Sequence, residues 1–210
     1  MKLKFLSISL LALISFNALA QKGTASYGTA SEKFNFGIKL GLNVSNQNLE
    51  YDIPDFPFDI KTSSLTSFHV GVFGEFILSD KIELKPELLF SREGSKIDLD
   101  VLKFNQTLSY IKAPILVKIY PFNNDLSILA GPQFGFLVDD EIDLDVDDGE
   151  LIDNSFKSFE LSATLGLEYD IINNFVLGAR YNLGLTDSSD DDIASLKNNN
   201  FQAYIGFRIL

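Results

Sequence analysis

Apolar and polar residues alternate along most of the chain, starting at Phe34. In the first segment, 34–44, every even position is Phe, Ile, Leu or Val, and every odd position is Asn, Gly or Lys. This period-two pattern is typical of a β-strand, and the segment is long enough to cross a membrane when tilted. Seven more segments repeat the pattern, so the sequence predicts eight strands: 34–44, 67–78, 82–92, 107–120, 126–138, 158–170, 175–186 and 201–210.

The connections between these segments alternate between long and short. The short ones are 79–81, 121–125 and 171–174, and the long ones are 45–66, 93–106, 139–157 and 187–200. Bacterial outer-membrane barrels have short periplasmic turns and long external loops. The pattern therefore predicts an all-β fold, an eight-stranded antiparallel up-and-down transmembrane β-barrel with both termini on the periplasmic side.

Three prolines interrupt the predicted strands. Pro86, Pro114 and Pro132 each lie inside an alternating segment. Proline cannot donate a backbone hydrogen bond to a neighbouring strand, so it is usually confined to sheet edges and bulges. We therefore expect all three to lie near strand ends or at bulges.

The N-terminal region differs from the rest of the chain. Residues 1–20 combine an early Lys pair, an apolar run and the small-residue pattern Ala18-Leu19-Ala20, which predicts a cleavable secretory signal peptide. Residues 21–33 are small and polar, and we interpret them as a flexible periplasmic lead-in to a barrel domain at 34–210. No later apolar run is long enough for a spanning helix, so a membrane-embedded chain would cross as strands.

The alternation alone also fits a soluble barrel of the lipocalin kind, whose apolar face points inward. However, an eight-stranded barrel is only wide enough for side chains, and here the apolar face is bulky while the polar face is rich in small residues. The charges of the polar face nearly balance, as a closed interior requires. We therefore predict that the apolar face contacts lipid and that the lumen holds Lys39, Lys85, Lys112, Lys118, Arg180 and Arg208 opposite Glu75, Glu83, Glu87, Glu160 and Glu168.

Charge and composition exclude several functions. The formal net charge is -12 and the chain has no run of Lys or Arg, which argues against nucleic acid as a partner. The chain has no Cys, which excludes disulfides, thiolate zinc sites and a lipid-modified N-terminal Cys. We expect no cofactor.

Several segments resemble those of a known family. Residues 110–120, 130–135 and 180–185 are similar to the signatures of the fourth, fifth and seventh strands in the PorT-like outer-membrane β-barrel family. Residues 206–210 resemble the C-terminal assembly signal of outer-membrane proteins, although they end in Leu where that signal has Phe. The resemblance covers essentially all of the mature chain. It implies an eight-stranded barrel in a Gram-negative outer membrane and brings no shared catalytic residues.

One constellation could suggest catalysis. His69 is the only histidine, and Ser67 and Glu75 share its strand face, as in a Ser-His-acid hydrolase of the lipid A deacylase kind. Residues two apart on a strand lie roughly 7 Å apart, which is too far for a direct hydrogen bond. The face also points away from lipid. We therefore predict a lumen histidine and no catalytic residue.

The third long connection is strongly acidic. Residues 139–153 include nine acidic residues and no basic one. The segment departs from a calcium-binding EF-hand loop, because Asp148 replaces the required Gly and Asn154 replaces the final Glu. A solvated loop and a loose divalent-cation site both remain open, and the candidate metal ligands are Asp143, Asp145 and Asp147.

Taken together, the pattern favours a non-enzymatic outer-membrane barrel with a structural role, or one that binds a partner through its external loops. Outer-membrane lipid, divalent cations at the acidic external loops and an unidentified protein are the expected partners. The aromatic residues Tyr51, Phe56 and Phe58 of the first long loop suggest either a lid or a partner contact. The alternatives are a narrow porin-like channel for ions or small solutes, a lipid-modifying enzyme and a soluble secreted barrel.

Overall fold

The computed structural model describes eight strands and the short turns that join them. The described residues are 34–51, 61–98, 103–122, 125–144, 157–172, 174–186 and 194–209. The predicted signal peptide and lead-in lie outside this part of the chain. The strands are β1 (Phe34–Tyr51), β2 (Lys61–Ser79), β3 (Ile82–Asp98), β4 (Lys103–Ile119), β5 (Leu126–Leu144), β6 (Phe159–Ile172), β7 (Phe175–Gly184) and β8 (Ala194–Arg208).

The eight strands form one closed antiparallel barrel. Each strand pairs with its neighbours in sequence, and β1 closes the barrel by pairing with β8. The predicted strand number, order and direction are confirmed. The described part of the chain contains no helix long and apolar enough to cross a membrane.

Most strands extend further toward the long-loop end than the alternation predicted. β1 continues from Val44 to Tyr51, and β8 begins at Ala194 instead of Phe201. Most of the added residues are polar on both faces, for example where Asn46 pairs with Asn199, although Leu49 pairs with Leu196. Strand pairing needs only backbone hydrogen bonds, while alternation needs two different solvents on the two faces. The ends of these strands therefore leave no period-two signal.

The wall of the barrel divides into two parts at the long-loop end. The β1–β2 ladder ends at Ser45 and Leu65, whereas β1 and β8 remain paired up to Tyr51 and Ala194. We call this two-stranded extension the β8–β1 flap. The β2–β3, β3–β4 and β4–β5 ladders also continue, and we call their extension the β2–β5 flap. The β5–β6 and β7–β8 ladders stop earlier, so within the described residues a gap separates the flaps on each side.

The prediction for the three prolines is wrong. Pro86 pairs with Ile115 and the same register resumes at Leu89 and Lys112, so the strand continues without a bulge. Pro114 and Pro132 also lie within β4 and β5, away from any shift in register. A proline removes only one ladder bond, and the many flanking bonds of a closed barrel keep the strand in place.

The two faces point as predicted. On β1 the odd residues from Gly37 to Ser45 are buried, with Lys39 at 2% exposure, while Leu40 on the outer face is 62% exposed. Aromatic pairs lie on the outer face near both ends of the barrel, with Phe34–Phe76 and Phe175–Phe207 at the short-turn end and Phe68–Phe90 and Phe136–Phe159 at the other. An apolar band between two aromatic girdles is the surface that a bilayer requires. The lipocalin alternative, with an apolar interior, is therefore wrong.

Candidate functional site

The lumen near the short-turn end contains a dense group of ion pairs, which we call the lower cluster. It consists of Glu75, Lys85, Lys118, Glu168 and Arg208. Glu75 accepts from Lys85 and Lys118 at 3.1 Å each and from Arg208 at 2.7 Å. Glu168 lies 2.6 Å from Lys85 and 2.7 Å from Lys118. The side chains of the two Glu and two Lys residues have no solvent exposure, so this level of the lumen is filled.

Two acidic groups and a tyrosine surround the lower cluster. Arg208 donates to Asp170 at 2.7 Å, and Glu83 lies 3.6 Å from Lys118. The Tyr120 hydroxyl donates to Asp170 at 3.3 Å, just beyond the end of β4. Burial raises the pKa of Tyr120. Every cation of the lower cluster thus has at least two carboxylate partners.

The middle of the lumen contains a smaller ion group. Glu87 accepts from Lys39 at 3.0 Å and from Arg180 at 2.8 Å. The Lys39 ammonium also lies 3.5 Å from the centre of the Tyr204 ring, within the range of a cation–π interaction. The Tyr204 ring packs against Gly178. A Cβ atom at position 178 would lie 2.1 Å from the ring atom Cζ, so a larger residue there would clash with the ring.

A chain of hydrogen bonds crosses the middle of the lumen. Arg180 donates through Nε to Gln202 at 2.5 Å, and Gln202 donates to Asn43 Oδ1 at 3.0 Å. The Nδ1 atom of His69 lies 2.7 Å from the same Asn43 oxygen. The Tyr204 hydroxyl connects this region to the lower cluster, because it donates to Glu168 at 3.0 Å.

Near the long-loop end, one lysine lies between two glutamates. Lys112 donates to Glu93 at 2.8 Å and to Glu160 at 2.9 Å. Asn198 donates to Glu160, and Asn200 donates to Glu93. These contacts connect β3, β4, β6 and β8 across the lumen.

The predicted lumen charges are therefore all inside, but some of their partners were not predicted. Glu93 was assigned to a loop, although it continues the inward parity of Glu87 and Ser91 on β3. Asp170 and Tyr204 were also missed as ion-pair and hydrogen-bond partners. The lumen includes apolar side chains as well: Phe73, Leu89, Leu108, Leu116, Leu129 and Val176.

The residues that suggested a hydrolase are not assembled as one. Ser67 donates to the backbone oxygen of Arg92, His69 contacts Asn43, and Glu75 is paired with cations of the lower cluster. All three serve other partners within the wall or the lumen.

The side chains of the three candidate metal ligands lie outside the part of the chain that the structure describes. Asp145 and Asp147 lie outside the described residues, and only the backbone of Asp143 is described, in β5. Asp139 and Asp140, at the start of the acidic segment, are exposed on β5. Phe56 and Phe58 of the first long loop also lie outside the described residues.

These features define a class of protein: a closed barrel with an apolar outer band and a filled, ionic lumen. The model of the family described as "Outer membrane protein beta-barrel domain" matches residues 19–190, and the chain belongs to this family. It is an outer-membrane β-barrel protein of the Gram-negative type. The short-turn end is accordingly periplasmic and the long-loop end external.

The chain is also similar, at low sequence identity, to several solved proteins. Ail, the attachment invasion locus protein of Yersinia pestis, is 16% identical with a TM-score of 0.47, over 84% of this chain and 99% of that one. OprG from Pseudomonas aeruginosa is 12% identical with a TM-score of 0.46, over 83% and 95%. The outer membrane protein AlkL is 12% identical with a TM-score of 0.47, over 89% and 96%. No curated protein matches the chain.

Proposed function

We propose that this outer-membrane barrel acts without catalysis, as an anchored scaffold that binds a partner at the cell surface through its external rim. The observation that carries the proposal is the divided wall at the external end. There, the β8–β1 flap and the β2–β5 flap rise above the level at which all eight strands are paired.

The free edges of these flaps support a binding role. β5 remains paired with β4 up to Leu144, but within the described residues its other edge is paired with β6 only up to Phe136, followed by one backbone hydrogen bond from Leu137 to Ser158. An unpaired strand edge presents backbone donors and acceptors on which another chain can add a strand. The exposed Asp139 and Asp140 on β5 favour a partner with basic residues there.

The filled lumen favours a scaffold role for this protein and argues against a channel role. At the level of the lower cluster, charged side chains are paired and inaccessible to solvent. An ion would have to separate these pairs before it could pass. Planar-bilayer recording of the purified protein should therefore show no steady single-channel steps, and such steps would favour the narrow-channel alternative.

Site-specific photo-crosslinking in intact cells tests the role of the rim. A photoreactive residue at Asp140 or Lys197, both exposed at the external end, should capture one discrete partner band. The same residue at Asp80, which is exposed in a periplasmic turn, is the matched control and should not capture that band. Capture of the same band from Asp80, or from none of the three positions, would contradict the proposal.

Two finer assignments complete the proposal. We place the chain in the PorT-like group within its family, on the resemblance of 110–120, 130–135 and 180–185. We also propose that the acidic external segment, including Asp143, Asp145 and Asp147, loosely binds divalent cations such as those that bridge outer-membrane lipid. Calcium should raise the unfolding temperature of the protein, and Asp139→Asn with Asp140→Asn should reduce that increase.

A further inference from the structure

Three neighbouring ladders of the wall each lack two successive residue pairs, although the register on either side of the interruption is the same. Within the described strands, the missing pairs are those of 74–75 with 85–86 in β2–β3, of 87–88 with 113–114 in β3–β4 and of 115–116 with 131–132 in β4–β5. Each of the three interruptions coincides with one proline, which is Pro86, Pro114 or Pro132 in turn.

The cause of each interruption is the missing N–H group of the proline. By the flanking register, the three prolines face Gly74, Glu87 and Ile115 respectively. The carbonyl groups of these three residues therefore lack the donor that any other residue would supply. The strands themselves stay close together, because a Cβ atom at Gly131 would lie 2.2 Å from the Ile115 carbonyl oxygen. The ladders thus lose hydrogen bonds without separating.

The interruptions lie next to one another in the wall. Pro86 lies between Gly74 on β2 and Ile115 on β4, and Ile115 in turn lies between Pro86 and Pro132 on β5. Pro114 directly precedes Ile115. The lost hydrogen bonds therefore form one continuous line across four strands, which we call the proline row.

The other five ladders have no such interruption. Pro132 pairs with Ala163 within an unbroken β5–β6 ladder, and the β7–β8, β8–β1 and β1–β2 ladders are also unbroken along their described lengths. The β6–β7 ladder changes register only at the short turn, between Asp170 and Ile172. The three interrupted ladders are the same three that continue outward as the β2–β5 flap. The proline row therefore crosses all four strands that bear this flap.

A continuous line of lost bonds weakens a sheet more than isolated losses do. Around a single proline, the intact bonds of the neighbouring ladders hold the strand in place. Along the proline row, the neighbouring ladder has lost a bond as well. On the lipid side of the wall no water replaces the lost donors. The β2–β5 part of the wall should therefore resist bending least along this row.

We propose that the proline row is a hinge in the wall, about which the external part of β2–β5 tilts relative to the sector formed by β6, β7, β8 and β1. The tilt is small, because the unbroken β1–β2 and β5–β6 ladders limit it. Its use rests on the function proposed above: a partner that contacts both flaps would select one tilt from those that the free barrel samples.

Amide hydrogen exchange of the intact, isotope-labelled barrel in micelles tests the weakness of the row. The amide of Ile115 should exchange roughly 2- to 10-fold faster than that of Leu167, which also faces lipid but pairs with Ala179 in an unbroken part of its ladder. The amide of Glu87 should exceed that of Glu168 by a similar factor, since both residues face the lumen. Equal rates within each pair would overturn the proposal.

Two proline variants test the cause of the weakness. Pro114→Ala supplies an N–H group opposite Glu87 and should slow exchange there to the rate at Glu168. Pro121→Ala is the matched control, because Pro121 lies in the short β4–β5 turn outside the row, and it should leave exchange at Glu87 unchanged. Unchanged exchange at Glu87 in Pro114→Ala would overturn the proposal.

Distances between spin labels test the hinge motion itself. The chain has no Cys, so two introduced cysteines are the only labelling sites. Labels at Asp140→Cys and Lys197→Cys, one on each flap, should give a broad distance distribution that narrows when Pro86, Pro114 and Pro132 are all replaced by Ala. Labels at Asp80→Cys and Phe122→Cys, both exposed at the short-turn end, are the control and should give the same width in both backgrounds.

A flap-to-flap width that the three replacements leave unchanged would overturn the hinge, even if the exchange rates differ as expected. Heat-modifiable gel mobility verifies that each labelled variant has folded. None of these measurements involves a partner. The absence of a crosslinked band at the external rim would therefore contradict the proposed function and leave the hinge intact.

Discussion

The lower cluster and the middle of the lumen differ in how far their buried polar groups are paired. In the lower cluster, Glu75 and Glu168 are each contacted by at least two cations, and all of these groups lie on the protein itself. In the middle, Gln133 has no partner among the described residues and Arg180 uses only part of its guanidinium. The first region is an ionic network in which every cation is paired, whereas the second contains buried side-chain atoms without a partner among the described residues.

The difference follows from the side chains that face each level. Long Lys, Arg and Glu side chains meet across the lumen and fill it, and each charge requires an opposite charge nearby because burial without one is very unfavourable. Amide side chains can instead be satisfied by water at much lower cost. The paired charges of the lower cluster therefore fill the lumen at the short-turn end.

The largest effect is expected from removal of one charge in the lower cluster. Glu75→Gln should destabilise the barrel by about 3–5 kcal/mol, because three cations lose a partner while they remain buried. Urea unfolding, followed by the heat-modifiable gel mobility of the barrel, measures the change. Asp80→Asn, in an exposed turn, is the control and should leave the midpoint unchanged. An equal midpoint for both variants would show that the lower cluster contributes little.

The next effect tests whether the wall around both regions faces lipid. Leu40→Arg places a charge in the middle of the outer apolar band and should destabilise the barrel in bilayers by about 2–4 kcal/mol. Ser63→Arg, at an exposed position of β2 that pairs with the exposed Lys96 beyond the aromatic girdle, should be nearly neutral. The same unfolding assay in lipid vesicles makes the comparison. A neutral Leu40→Arg would contradict the membrane position assigned to this band.

A smaller effect is expected from the contact that joins the two regions. Tyr204→Phe removes the hydrogen bond to Glu168 but keeps the ring beneath Lys39, and should destabilise by about 1.5–3 kcal/mol. Tyr181→Phe on the outer face is the matched control, since Tyr181 is 46% exposed. If both variants unfold at the same urea concentration, the two regions are not coupled through Tyr204.

The smallest effect is expected at Gln133 in the middle of the lumen, where the comparison is between an amide bonded to water and an amide without a partner. Gln133→Leu should change the free energy of unfolding by at most about 1 kcal/mol, because the amide loses only hydrogen bonds to water. If the amide had no partner, the same change would remove two unsatisfied atoms and stabilise the barrel by about 1–3 kcal/mol for each. The direction of the urea midpoint shift therefore distinguishes an amide bonded to water from one without a partner.

Much of the fold was predictable because the barrel wall separates two solvents. Alternation placed Lys39 inside and Leu40 outside, and the lengths of the connections indicated the closed up-and-down order. The strand ends were not predictable, since most residues there, such as Asn46 and Asn199, are polar on both faces and carry little alternation. The positions of the prolines were predicted wrongly, because Pro86 and Pro114 each remove only one ladder hydrogen bond from strands that many other bonds hold in place.

For the candidate site, the sequence predicted which charged residues face the lumen but not which of them pair. The charged residues of the lumen could be predicted because alternate positions of a strand face the same side. Nothing in the sequence indicated that Lys85 would meet Glu168, 83 positions away. Glu93 was missed because the residues around it are polar on both faces.

The amino-acid sequence by itself determined the number of strands, the face of each side chain and the near balance of buried charge. These are local properties, because each strand must match lipid on one side and the lumen on the other. Only the tertiary structure decided which charges pair, how far each strand rises at the external rim and which polar atoms lack a partner. Those features depend on the stagger of the strands as the barrel closes, which brings together residues that are distant in the chain.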